Sequence, residues 1–114
     1  FRVSDPNLIV GVWIALDRIR YGVGGGAVVP ELSRFFGMIV AMYYNDHAPP
    51  HFHVRYGSQK ATIALSPPRL LDGYLPPRAL GLVIEWSTLH ETALLEDWEL
   101  ARAQAILKPI PPLE

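Results

Sequence analysis

Three of the chain's four histidines fall in one stretch, Asn45-Asp46-His47-Ala48-Pro49-Pro50-His51-Phe52-His53-Val54-Arg55. Imidazole titrates near neutral pH and is also the commonest metal ligand. Two chemistries therefore compete for this stretch. In the first, His51 and His53 share a strand face and converge on one ion, and His47 supplies a third nitrogen from across the proline bend. Three neutral imidazoles suit zinc and leave a position open for water. Asp46 would then ligate the ion or orient a ring. In the second there is no metal. One histidine acts as base, another as acid, and Arg55 steadies phosphate charge while RNA is cleaved by its own 2′-hydroxyl.

The metal-free chemistry is the preferred expectation, because His-x-His on a strand is a weak metal signal by itself. No metal or other cofactor is expected. The expected catalytic set is His47, His51, His53 and Arg55. Arg34, Tyr44 and Lys60 are expected to contact substrate, the tyrosine by stacking on a base. A third reading stays open. The same side chains can form a solvated sheet face that docks an acidic partner.

The elements that must position these groups are legible in outline. His51-Phe52-His53-Val54-Arg55-Tyr56 alternates, so the histidines and Arg55 lie opposite Phe52 and Val54. Gly57-Ser58 suits a type II′ turn, with glycine first. That turn sets a register: Tyr56 opposite Gln59, Arg55 opposite Lys60, His53 opposite Thr62, His51 opposite Ala64 and Phe52 opposite Ile63. The apolar run from Arg34 to Asp46 reads as one strand. Ser66 to Pro77, rich in proline with an Asp-Gly step, reads as a loop. The Pro49-Pro50 step is a candidate for a cis bond that fixes a turn.

A helix is expected from Pro77, with Ala79, Leu82, Val83, Trp86 and Leu89 facing the sheet. A second is expected from about Glu91 to Gln104, burying Leu94, Leu95, Trp98 and Ala101. Glu91, Glu96, Asp97 and Glu99 read as its acidic, solvated face. The proline-rich end stops the helix and leaves an extended tail. The expected class is α+β: a small antiparallel sheet of about three strands, packed on one face by two C-terminal helices.

Composition bounds the function. The chain has 114 residues, no cysteine and a formal net charge of −1. Disulfides, thiol nucleophiles and cysteine-type zinc sites are excluded, and no global basic field draws in nucleic acid. The longest apolar run, Leu8 to Leu16, is too short to span a bilayer. Residues 1–29 differ from the rest and end in Gly24-Gly25-Gly26, so they read as a flexible or non-native extension. Residues 30–114 read as a single compact domain.

The segments PELSRFFGMIVAMYYNDHAPPHFHVRYG, LPPRALGLVIEWSTLH and LLEDWELAR occur in that order. Together they resemble the domain of unknown function 4160 family from Pro30 to about Leu113. The resemblance implies a small bacterial protein, often encoded beside a second small protein of the domain of unknown function 2442 family. That layout is similar to a toxin–antitoxin pair, with the histidine-bearing protein as toxin. It implies the toxin-like half of a two-protein module with an antitoxin-like partner. Together with the histidine–arginine chemistry and the absence of cysteine, the expectation is an RNA target in the cytoplasm. The alternative is a non-catalytic binding module that docks its partner through the same face. A native start near Val29 also fits the resemblance.

Overall fold

The computed structural model of the protein describes residues 29–114. The N-terminal extension expected over residues 1–29 lies, except for Val29, outside the described residues. Five strands run β1 Glu31–Phe35, β2 Met38–Ala41, β3 His51–Tyr56, β4 Gln59–Leu65 and β5 Pro68–Gly73. Two helices follow, α1 Pro77–Leu89 and α2 Glu91–Arg102. The strands form one sheet in the order of the chain, and every neighbouring pair is antiparallel.

The α+β class, the antiparallel sheet and the two C-terminal helices agree with the sequence reading. The strand number does not: there are five rather than about three. One added strand comes from splitting the run expected as a single strand. Phe36 and Gly37 both have positive φ, 50° and 81°. A type I′ hairpin turn needs that at its two central positions. Phenylalanine there is uncommon, so the apolar run conceals the turn. The other added strand is β5, in the stretch expected as a loop. Pro68 occupies the first position of an edge strand, where a missing N–H is tolerated. At its end Gly73 is required: φ is 84°, and a Cβ would come within 2.2 Å of the Lys60 carbonyl oxygen.

The β3–β4 hairpin has the register that the Gly-Ser turn and the alternation imply. Tyr56 pairs with Gln59, Arg55 with Lys60, His53 with Thr62, Phe52 with Ile63 and His51 with Ala64. Phe52, Val54, Val40 and Ile63 point into the core. Trp86 of α1 anchors that core, with its ring 5.2 Å from Phe35 and 5.7 Å from Phe52. Its indole N–H donates to the Pro111 carbonyl at 2.8 Å, so the one polar atom of this buried ring is satisfied.

The helices correct three details. Ala79, Val83 and Trp86 are buried as expected, but Leu89 is 64% exposed because α1 stops there. Leu82 and Leu95 sit half-buried at the margins. Asp97, expected on a solvated face, is 1% exposed. It stands three residues after Leu94, within the stripe that Leu94, Trp98 and Ala101 also occupy. The tail is irregular but docked. Leu107 and Ile110 are buried, and the Ile110 N–H donates to the Leu32 carbonyl of β1 at 2.9 Å.

Candidate functional site

The loop between β2 and β3 carries the first histidine and the aspartate. It is tied down at both ends of its turn. The Asn45 N–H donates to the Ala101 carbonyl near the end of α2 at 3.2 Å, and the Leu65 N–H donates to the Pro50 carbonyl at 3.1 Å. Asn45 takes a positive φ of 55°, a conformation asparagine tolerates. The Ala48–Pro49 peptide is cis. This geometry turns the Asp46 carboxylate back over the start of β3.

Asp46 is the hub. Its Oδ1 accepts from the His47 backbone N–H at 2.9 Å and lies 3.0 Å from His47 Nδ1. Its Oδ2 lies 2.8 Å from His51 Nε2 and 3.2 Å from His53 Nε2. Each β3 histidine is also held from behind. His51 Nδ1 is 2.6 Å from the Pro49 carbonyl oxygen, which can only accept, so Nδ1 is the donor there. His51 is buried and packs 5.2 Å from Trp98. The Nδ1 of His53 reaches Thr62 Oγ1 at 3.5 Å, and Tyr43 stacks flat on the ring, 4.0 Å away at 14°. His47 hangs outside, its side chain 86% exposed.

The electrostatics follow from this packing. Partial burial pushes the Asp46 carboxyl up, but hydrogen bonds from His53, the His47 backbone and His51 outweigh it and hold the group below its ordinary value. Asp46 is therefore an anion at neutral pH. His53 moves down. Burial of the ring outweighs the pull of Asp46, and any charge on His51 or His47 pushes the same way. Its ring is neutral at pH 7, with a lone pair to offer.

Beyond His53 a groove of about 400 Å³ opens over β2, β3, β4 and β5. Tyr43, His53, Arg55, Lys60, Thr62 and Asp72 line it. The structure thus brings together His51 and His53 at one end and Arg55 and Lys60 along the floor. His47 joins only through Asp46. Arg34 of β1 stands opposite Ile39, and Ile39 opposite Arg55, so it shares the groove's sheet face; it is bonded to Glu31 at 3.0 Å and is not among the groove-lining residues. Tyr44 does not line it either. Burial, and then the charge of Asp97, raise its phenol.

Two residues stand out that the sequence reading gave smaller parts. Asp46 joins all three histidines, and Tyr43 rather than its neighbour supplies the stacked ring. The signal for Asp46 was its adjacency to His47. For the tyrosines there was none, because strand parity ends at Ala41 and a loop carries both.

Among known proteins, the family model for the domain of unknown function 4160 matches residues 37–99. The match runs from the β1–β2 turn through most of α2 and includes every member of the cluster. No curated protein and no solved structure matches the chain.

Proposed function

The chain belongs to the domain of unknown function 4160 family, and from that premise we propose that it is the toxin-like half of a two-protein module, acting on RNA through the groove beside its histidine–aspartate cluster. One observation carries this reading: Arg55 and Lys60 lie in the same groove as His53 and its stacked partner Tyr43. Two cations suit the phosphodiester backbone. An exposed tyrosine beside them suits an unpaired base. Asp72 bounds the β5 side, and its carboxylate would repel a phosphate towards β3 and β4.

The reaction that fits is internal transfer. The 2′-oxygen bonds to phosphorus as the bond from phosphorus to the 5′-oxygen breaks. A base at the cluster takes the 2′-hydroxyl proton, and the leaving 5′-oxygen receives a proton from an acid. The products are a 2′,3′-cyclic phosphate and a 5′-hydroxyl end. Arg55 and Lys60 offset the charge that gathers on the phosphoryl oxygens. The expected partner is a small antitoxin-like protein of the domain of unknown function 2442 type, and the expected compartment is the cytoplasm. Among the described residues no helix is long and apolar enough to cross a membrane.

A second reading has an observation in its favour. Leu70, Leu71 and Tyr74 are exposed on and just after β5, the open edge of the sheet beside the groove. Exposed apolar groups on an edge strand suit a docked protein, and a binding module without catalysis would use the same face. The test is growth of bacteria expressing the full chain, the His51→Ala/His53→Ala variant or the Arg55→Ala/Lys60→Ala variant, each soluble and equally abundant. Growth arrest with RNA breakdown in the wild type, relieved by either pair of substitutions, is the expected result. Soluble wild type that leaves growth and RNA intact hands the site to the docking reading.

A further inference from the structure

We propose that Asp46, His51 and His53 form a binding site for one divalent transition-metal ion, with zinc as its best-matched occupant. The inference deepens the reading above, since it takes this cluster as the reactive end of the RNA groove.

The first argument is placement. One ligand atom from each residue lies within 4.8 Å of the others. Two of these separations, 2.8 Å and 3.2 Å, run from Asp46 Oδ2 to an imidazole Nε2. Four ligands about 2.0 to 2.1 Å from a tetrahedral ion stand roughly 3.3 Å apart. Two of the three edges are already near that length.

The second argument takes the same His51 contact and concerns where its protons sit. The Pro49 carbonyl accepts from His51 Nδ1. A neutral His51 then has its lone pair on Nε2, and that atom faces the oxygen of an anionic carboxylate at 2.8 Å. Two acceptors do not hold such a distance without a positive charge between them. Either a second proton or a cation fills the gap. A ring whose far nitrogen donates to a backbone carbonyl is also the usual arrangement of a metal-bound histidine, fixed in tautomer and direction. Trp98 and the sheet end fix that ring further by burying it.

The donor set selects the ion. Two imidazoles and one carboxylate suit zinc and its neighbours, whereas magnesium and calcium prefer oxygen throughout. With three protein ligands a fourth position stays open. His53 borders the groove, so that position lies at the groove's end. Bound zinc lowers the pKa of its water towards neutrality, which supplies the base that the cluster needs. His47 then orients Asp46 through Oδ1 and is not a ligand. This replaces the metal-free expectation, and it takes Asp46 rather than His47 as the third donor.

The test is zinc binding by the purified full-length chain, stripped with a chelator and titrated in competition with a chromophoric chelator, without RNA. Circular dichroism confirms that each variant is folded. Wild type should take up one zinc. Asp46→Asn and His53→Ala should each bind at least about a hundredfold more weakly, beyond what loss of an outer-sphere partner costs, while His47→Ala stays within about tenfold. Cobalt in place of zinc should give visible absorption that the same two variants lose. Folded wild type without a stoichiometric site overturns the inference, and so does wild-type affinity in Asp46→Asn and His53→Ala, or a loss confined to His47→Ala. The RNA reading fails separately. Zinc binding by a protein that never affects RNA keeps the metal site and removes the ribonuclease. RNA cleavage by a chelator-treated, zinc-free protein keeps the ribonuclease and removes zinc as the source of its base.

Discussion

Asp46 and Asp97 are both largely sheltered from water, and the fold drives them in opposite directions. Asp46 meets a backbone N–H and three imidazoles, and its carboxyl stays below the ordinary value. Asp97 lies inside the junction of α2 with the tail. Its Oδ1 accepts from the Lys108 backbone N–H at 2.8 Å, but its Oδ2 has no partner. Burial dominates there and pushes the carboxyl up to about 7, with the Lys108 hydrogen bond opposing and Glu96 adding to the rise. The difference lies in the supply of donors. Burial by itself favours the neutral acid, and only converging donors or cations keep a sheltered carboxylate charged. Asp46 is thus equipped to hold a cation, and Asp97 to be neutral through much of the acid range.

The largest expected effect tests the wall between these two regions. Trp98 follows Asp97 in α2 and packs against His51, the buried neighbour of Asp46. Trp98→Ala should cost about 3–5 kcal/mol in urea unfolding. It should also weaken zinc binding, because His51 loses the surface that fixes its ring. Unchanged stability would show that the two regions do not share this wall.

The next effect is in pH. A carboxyl whose folded pKa is raised favours the fold most below its unfolded value, near 3.8, and that contribution is lost as the pH rises through about 7. Asp97→Asn keeps an acceptor for the Lys108 N–H and cannot ionise. Relative to wild type, the variant should therefore gain stability between pH 4 and pH 8, by up to about 4 kcal/mol for a shift of roughly three units. Urea curves of both proteins at several pH values decide it. Parallel profiles would mean that Asp97 is not held neutral, despite Tyr44, Glu96 and Lys108 around it.

Smaller effects sharpen the contrast from the other side. In zinc-free buffer Asp46→Asn should cost about 1–3 kcal/mol, since several donors lose a charged acceptor. His47→Ala should change stability by no more than about 0.5 kcal/mol, because its exposed ring holds Asp46 from outside. Thermal unfolding of both variants would rank them, and the reverse order would move the hub from Asp46 to His47.

How far the sequence reached depends on the range of the interaction that decided each feature. The β3–β4 hairpin was legible to the residue pair because a two-residue turn and a period of two are local. The helices were legible for the same kind of reason, from Pro77 and the spacing of Ala79, Val83, Trp86, Leu94 and Trp98. The β1–β2 turn was hidden because Phe36 is not a turn residue, and β5 because its prolines and Asp-Gly step look like a loop. Asp97 occupied a stripe position all along. Its chemical type argues against burial, and only the contact with the Lys108 N–H shows why spacing wins.

The sequence by itself determined the chemistry at hand: no thiol, three clustered histidines beside an aspartate, and a strand that sets His51, His53 and Arg55 on one face. It also determined the family and the α+β class. Only the tertiary structure decided that Asp46 gathers the rings, that Tyr43 rather than Tyr44 stacks, that Arg34 bonds to Glu31 and that Asp97 is buried. Those outcomes depend on contacts such as Asn45 with Ala101, His51 with Trp98 and Asp97 with Lys108. Each joins segments from different elements or from the tail, and no local period encodes which of them will meet.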